Sequence, residues 1–335
     1  MLTGKRLRVV LLGAGSLGRA FLRRLGDEKA PVDLVGIATA RHGRMLSREG
    51  IDPTVALNTV EAGELGQDGP EDFGELLNAV GADAIVECIP QNIRSGDPAL
   101  GYQRASLELG VHVVTSNKSP IALGYRDLRH RAAKSGKQFR FEATVLDGLP
   151  VFAFASQLGN DRITKVRAVL NGTSSVVLET LGQGSTRARG LARAQARGIA
   201  EADPVLDLDG WDAAAKAALL ANVWMEGSLR VVDVVRKGLE TLKDKDVAKA
   251  AEEQLHYRLV ADIVRDEAGA RASVAPVALE PGDPFHTLRG PRGGIEIETE
   301  SGRSFCMLQG TAGLEDAAAG IVADLEAILL GAPQP

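Results

Sequence analysis

Residues 7–18 read Leu7-Arg-Val-Val-Leu-Leu12-Gly13-Ala-Gly15-Ser16-Leu17-Gly18. Six largely apolar residues form a strand, three spaced glycines form a turn, and a helical pattern continues to about Leu25. A second apolar run at 32–38 completes a βαβ unit. In that context the glycines have separate tasks. Gly13 allows the tight turn, Gly15 lets a pyrophosphate approach the backbone, and Gly18 lets helix and strand pack closely. The helix N-terminus, opened by Ser16 and Leu17, then faces the phosphates. A dinucleotide cofactor is the expected ligand.

Further apolar strands at 83–89 and 111–115, each after a helical stretch, extend the pattern to a doubly wound parallel sheet. Beyond about residue 140 the rhythm changes. Strand-like runs at 138–145 and 163–170 are followed by helices at 173–181, 187–197 and 210–226. Alternating strands return at 256–264, 271–279, 294–299 and 304–309. The expected class is α/β, a doubly wound parallel sheet with an inserted α+β domain. Residues 1–140 plus 308–335 form the dinucleotide domain, residues 141–307 the second. The helix at 315–330 is expected to return to the first sheet.

With 335 residues the chain has room for two cores. A net charge of −5 argues against a general nucleic-acid binder. No run of 18 apolar residues suggests a membrane span. The start shows no charged-then-apolar leader, and two cysteines, Cys88 and Cys306, fit a reducing compartment, so the cytoplasm is expected. Neither cysteine has the polar, exposed setting of a nucleophile.

The end of the second strand bears on the choice of cofactor. A carboxylate there would hold the ribose hydroxyls of NAD, but the chain reads Thr39-Ala-Arg41-His-Gly-Arg44. Arg41, with Arg44 nearby, suits the 2′-phosphate of NADP. NADP is therefore favoured, with NAD the alternative.

Thr115-Ser-Asn117-Lys118-Ser-Pro120 falls at the carboxyl end of a parallel strand, where open α/β sheets place their ligands. Lys118 is thereby poised over the crevice. The segment Gly198–Lys216 carries Glu201, Asp203, Asp207, Asp209 and Asp212 with no basic residue between Arg197 and Lys216. Such crowding calls for a metal, an ammonium-bearing substrate or the chain's own lysines. Calcium-loop spacing is broken at Val205 and Ala215, and no histidines pair at zinc-ligand spacing. Asp212 and Lys216 lie one turn apart on a helix that Asp209 is placed to cap. A half-buried lysine near another has a lowered pKa, which suits a proton donor to a developing alkoxide.

These motifs, together with Glu142-Ala-Thr-Val145, Gly148-Leu-Pro150, Asn171-Gly172-Thr173 and Gly198-x-Ala-Glu-Ala-Asp-Pro204, resemble those of homoserine dehydrogenases over almost the entire chain. The resemblance implies a Rossmann-type first domain and reversible NAD(P)-dependent interconversion of L-homoserine and L-aspartate 4-semialdehyde. It implies that Lys118 and Lys216 flank the reacting oxygen, Lys216 being the favoured proton donor, and that Glu201, Asp207 and Asp212 hold the substrate ammonium group and the lysines. Gly172 and Thr173 would line the substrate pocket; Asn117, Lys118 and Gly313 would touch the cofactor. A monovalent cation is implied at a turn around Glu142, Val145 and Asp147, and a homodimer through sheets of the second domain.

The chain departs from the family pattern at Ser175, Val176, Leu146, Asp147, Thr311 and Ala317. Neither an aspartokinase domain in front nor a regulatory domain behind is read, so threonine feedback through one is not expected. Two alternatives stand beside this reading: a related reductase of another amino-acid aldehyde, and a dinucleotide-sensing dimer without turnover.

Overall fold

The computed structural model describes residues 4–27, 30–200 and 204–334. Its backbone divides into two compact units, Met1–Gln157 with Gly313–Pro335, and Leu158–Ala312.

The first unit runs β1 (Leu7–Leu12), α1 (Ser16–Asp27), β2 (Val32–Thr39), β3 (Gly43–Leu46), α2 (Pro53–Ala62), α3 (Phe73–Val80), β4 (Ala84–Glu87), α4 (Ala99–Glu108), β5 (His112–Thr115), α5 (Lys118–Ser135), β6 (Phe139–Arg140) and α6 (Val151–Ser156). Its six-stranded sheet has the order β3-β2-β1-β4-β5-β6. From β2 to β6 the pairing is parallel, and β3 adds an antiparallel edge. The order reverses direction between β1 and β4, and the carboxyl ends on either side of such a switch point leave a crevice. Leu12, Glu87 and Thr115 end up side by side there, because Leu12 pairs with Glu87 and Glu87 with Thr115.

The second unit contains β7 (Ile163–Val169), α7 (Gly172–Gly182), α8 (Arg187–Ala196), α9 (Val205–Leu208), α10 (Trp211–Trp224), β8 (Val235–Arg236), α11 (Asp244–Glu252), β9 (His256–Asp266), β10 (Gly269–Leu279), β11 (Gly294–Thr299) and β12 (Ser304–Leu308). Its sheet is ordered β12-β11-β7-β9-β10-β8, antiparallel except for the last pair. Helix α10 buries ten residues, from Ala213 to Val223, against this sheet. Its small side chains let the backbone come close, and Asp212 and Lys216 are its only charged residues.

The chain closes with α12 (Leu314–Leu329), which returns to the first unit as expected. Ala317, Ala318, Ile321, Val322, Leu325 and Ile328 share a core with Phe21 and Leu25 of α1. Alternating small and branched residues give this helix one face that can lie flat on its neighbours.

Two expectations change. The strand expected over 138–145 is only Phe139–Arg140, followed by a 3-10 turn at Glu142–Thr144. The Glu142 amide leaves the sheet pattern because it donates to the Asp324 carboxylate of α12 at 2.8 Å. The unit boundary falls at 157 rather than 140, and the return at 313 rather than 308. Here Phe141 and Phe152 pack edge-to-face at 4.7 Å and tie α6 into the first core. Residues 43–46 add the short edge strand β3. Gly43, at φ +96°, makes the turn, and a Cβ there would lie on the Gly66 carbonyl.

Candidate functional site

The glycine turn has the shape its spacing predicts. Gly13 sits at φ +90°, and a Cβ on it would come within 2.8 Å of the Cys88 backbone at the end of β4. A Cβ on Gly18 would meet the Gly13 carbonyl at 2.3 Å, so helix and turn cannot separate to admit a side chain. Nothing lies within 4 Å of the position a Gly15 Cβ would take, and Gly15 and Ser16 are exposed. The first turn of α1 holds no acidic residue, so its amides and dipole stay available to an anion. A closed turn with one open glycine at a helix N-terminus fits a dinucleotide pyrophosphate.

Arg41 lies in the β2–β3 turn, exposed, with no hydrogen bond or ion pair among the described residues. Arg44 is placed differently from the sequence expectation. It is on β3, and its Nε donates to the Asp68 carbonyl at 3.2 Å. Only Arg41 of the two keeps its whole guanidinium for a ligand.

Lys118 is the first residue of α5. Its helix begins there because Asn117 is the N-cap, accepting from the Ser119 amide at 3.2 Å through its side chain. The Asn117 amide in turn donates to Thr115 Oγ1 at 2.9 Å. Behind this turn lies Glu87, which sequence reasoning passed over although a lone carboxylate in Ala-Ile-Val-Glu-Cys-Ile was a visible signal. It is wholly buried. Burial raises its pKa, opposed by hydrogen bonds from Thr115, the Ile89 amide, Gln103 and Asn117.

The second unit carries the lysine–carboxylate cluster. Lys216 Nζ lies 3.2 Å from Asp212 Oδ2 and donates to the Leu170 carbonyl at 2.7 Å. Both side chains are 15% exposed. Asn171, at the end of β7, bridges the acids, with Nδ2 donating to Asp207 Oδ1 at 2.8 Å and to Asp212 Oδ2 at 3.1 Å. Its Oδ1 accepts from the Ser174 amide and so caps α7. Burial raises the Asp207 pKa, and the negative charge of Asp212 raises it further. The Thr173 hydroxyl, Asn171 and the positive Lys216 act the other way. Gly172 opens α7 with room for a Cβ only 3.0 Å from Pro291. Sequence reasoning named Gly172 and Thr173 here and missed Asn171 as the bridge.

Asp209 does not cap α10. It closes α9, Gly210 at φ +79° reverses the chain, and α10 starts with no side-chain cap. The Asp209 carbonyl is held by Arg236, whose guanidinium also stacks 4.0 Å over Trp211. Glu201 and Asp203 lie outside the described residues.

The Glu142 carboxylate is committed to protein. It accepts from the Phe152 and Ala153 amides at 2.8 Å and so anchors the start of α6. Val145 is buried and Asp147 half-buried. Among the described residues no three His, Cys, Asp or Glu side chains are grouped to hold a metal ion. Gly313 precedes α12 in extended backbone. Cys306, contrary to expectation, is exposed on β12, but desolvation of the thiol and, after it, the negative charges of Glu296 and Asp283 raise its pKa against the nearby Arg167. Burial pushes the Cys88 thiol up to about 12. Neither is an activated nucleophile.

A dinucleotide turn at the switch point of one sheet and a lysine–carboxylate cluster on another define a nicotinamide-dependent oxidoreductase of two units. Residues 13–142 match the family described as homoserine dehydrogenase, NAD binding domain, and residues 150–325 match that described as homoserine dehydrogenase. The chain is 29% identical over 323 residues to a homoserine dehydrogenase of Sulfurisphaera tokodaii, covering 95% of this chain and 97% of the relative. It is 32% identical over 308 residues to an NAD(+)-dependent homoserine dehydrogenase of Pseudomonas canavaninivorans, covering 88% of each. Among solved structures, a hyperthermophilic archaeal homoserine dehydrogenase in complex with NADPH superposes with a TM-score of 0.82 at 25% identity, over 98% of this chain and 99% of that one. The chain belongs to the homoserine dehydrogenase family.

Proposed function

We propose that this protein interconverts L-homoserine and L-aspartate 4-semialdehyde, using NADP in preference to NAD. The observation that carries the reading is the half-buried Lys216, held by Asp212 and the Leu170 carbonyl beside the Asn171-bridged Asp207.

The bound nicotinamide supplies or accepts the hydride. The chain's residues bind, orient and move the proton. Gly13, Gly15, Ser16, Leu17 and Gly18 cradle the pyrophosphate, and Asn117, Lys118 and Gly313 approach the cofactor from other loops. As the aldehyde is reduced, negative charge grows on its oxygen. Lys118 and Lys216 stabilise that charge, and Lys216 Nζ delivers the proton, leaving an alcohol and a neutral amine that regains its proton from water. Asp212 orients Lys216 one helical turn away. Glu201, Asp207 and Asp212 offer carboxylates to the substrate ammonium group, with Gly172 and Thr173 lining the same pocket.

The NADP preference rests on Arg41 and on the missing carboxylate after β2. The Pseudomonas relative named as NAD(+)-dependent makes NAD the alternative. A homodimer through the second unit, with residues 158–312 as substrate and dimerisation domain, belongs to the same reading, as does a cytoplasmic location. Among the described residues no helix is long and apolar enough to cross a membrane. Sedimentation at micromolar protein tests the dimer. Loss of NADPH absorbance with L-aspartate 4-semialdehyde, compared with NADH, tests the reaction. Saturable oxidation is expected, and none with either cofactor would refute it.

A further inference from the structure

A carboxylate with no exposed surface is destabilising unless its oxygens are satisfied, because nothing else replaces the water it has lost. Glu87 sits at 0% exposure at the end of β4 and is held by four neutral donors. Oε2 accepts from Thr115 Oγ1 at 2.7 Å and Gln103 Nε2 at 2.8 Å. Oε1 accepts from the Ile89 amide at 2.8 Å and from Asn117 Nδ2 at 3.4 Å. An apolar residue would fill this place in the sheet without that penalty.

The donors belong to the two turns that build the site. Thr115 is the strand partner of Glu87, and its hydroxyl, while donating to Glu87, accepts from the Asn117 amide. Asn117 then caps α5 at Lys118. On the other side, the Ile89 amide continues the Cys88 backbone against which Gly13 is packed. One carboxylate thus ties the wall of the dinucleotide turn to the turn that presents Lys118. It also fixes the direction of the Thr115 hydroxyl. With Oε2 accepting, Thr115 gives its proton to Glu87, and the two lone pairs of its hydroxyl accept from the Asn117 amide and from Gln103 Nε2 at 3.2 Å.

We propose that Glu87 is a positioning residue that sets the Lys118 turn through the Thr115 hydroxyl and the Asn117 cap. It touches neither substrate nor reacting atoms. The kinetic part of this proposal rests on the role given to Lys118 above; the structural part does not.

The test uses the full chain with Glu87→Gln, which keeps the volume but turns one of the two accepting oxygens into an NH2, so that either Thr115 and Gln103 or the Ile89 amide and Asn117 lose their acceptor. Backbone hydrogen exchange at Asn117 and Ser119 is measured first, without substrate. Faster exchange there, with exchange in α10 of the other unit unchanged, is expected, and unchanged exchange at both amides overturns the proposal. In turnover with NADPH and L-aspartate 4-semialdehyde, kcat is expected to fall about tenfold to a hundredfold, as for displacement of a catalytic group by a fraction of an ångström to an ångström. NADPH Kd and aldehyde KM stay within about threefold, since most of their contacts lie elsewhere. Placed in a Lys118→Ala background, Glu87→Gln is expected to cost little more, because its effect passes through the missing lysine. An equal loss in both backgrounds, or full activity of Glu87→Gln, overturns the proposal. Should Glu87→Gln not fold, Thr115→Val cuts the same relay while the Ile89 and Gln103 bonds to the carboxylate remain. Full activity with unchanged exchange at Asn117 in that variant is then the refuting result. An inactive wild type defeats the reading of the reaction alone, and the exchange measurement still decides the positioning.

Discussion

Asp212 and Lys216 face each other one turn apart at the start of α10, 3.2 Å between carboxylate and ammonium, while the same ammonium donates to Leu170 at the end of β7. A helix and a strand of the second unit therefore aim one lysine. Exposed pairs at this spacing contribute little. Here the partners are mostly buried and a third group fixes the geometry, so the pair serves orientation more than stability.

Removing that lysine separates chemistry from binding. Lys216→Ala is expected to lower kcat by about a hundredfold to ten-thousandfold, the usual contribution of a positioned general acid. NADPH affinity, measured by fluorescence titration, should stay near wild type, because the glycine turn lies in the first unit. A variant that keeps most of its kcat would remove Lys216 from the mechanism.

The glycines make opposite demands. Gly13→Ala should destabilise the fold by about 1–3 kcal/mol through strain at φ +90° and contact with Cys88. Gly15→Ala meets nothing within 4 Å and should leave the melting temperature unchanged. It should still weaken NADPH binding by about 1.4 kcal/mol, tenfold in Kd, by holding the pyrophosphate off the backbone. Calorimetric melting beside NADPH titration checks both.

On the proposed reading Arg41 selects between the two cofactors. Arg41→Ala should lower kcat/KM for NADPH about tenfold to a hundredfold, the loss of one or two charge-assisted hydrogen bonds, while NADH is unaffected. Equal losses with both would show that Arg41 does not read the 2′-phosphate.

Asp324 on α12 couples stability to pH. Burial, with the nearby Glu142 carboxylate, lifts its pKa from 3.8 to about 8 against the opposing Glu142 amide and Arg140. A folded-state value above the unfolded one means the native protein holds the proton longer. Its contribution to stability is therefore complete below about 4 and is lost as pH rises through about 8. Asp324→Asn mimics the protonated acid. Melting temperatures of the two proteins should be close near pH 4 and diverge toward pH 8, with the wild type falling. Parallel profiles across this range would mean Asp324 is ionised in the folded protein throughout.

Much of this was legible in the chain. Glycine spacing after an apolar strand dictates the dinucleotide turn, because only glycine tolerates the φ at Gly13 and the approach at Gly18. The four-residue separation of Asp212 and Lys216 puts them on one helical face whatever surrounds them. Less legible were features made by distant residues. Arg44 looked like a cofactor ligand until β3 paired it into a sheet edge and the Asp68 carbonyl took its Nε. Asp209 had the residue type of a cap, yet Gly210 moved the helix start past it. Glu87 read as one polar residue in a buried strand.

Local geometry, the periodicity of apolar residues and the glycine positions depend on neighbours along the chain, so the sequence by itself determined the two-unit α/β class, the cofactor turn and the family. Which carboxylates bridge, which are buried and which merely hold a helix depends on residues far apart in number. Asn171 between Asp207 and Asp212, Asp324 against Glu142, and Glu87 against Thr115 are contacts that only folding brings within hydrogen-bond range. The tertiary structure decided these because desolvation and hydrogen bonding act through space, where sequence separation has no meaning.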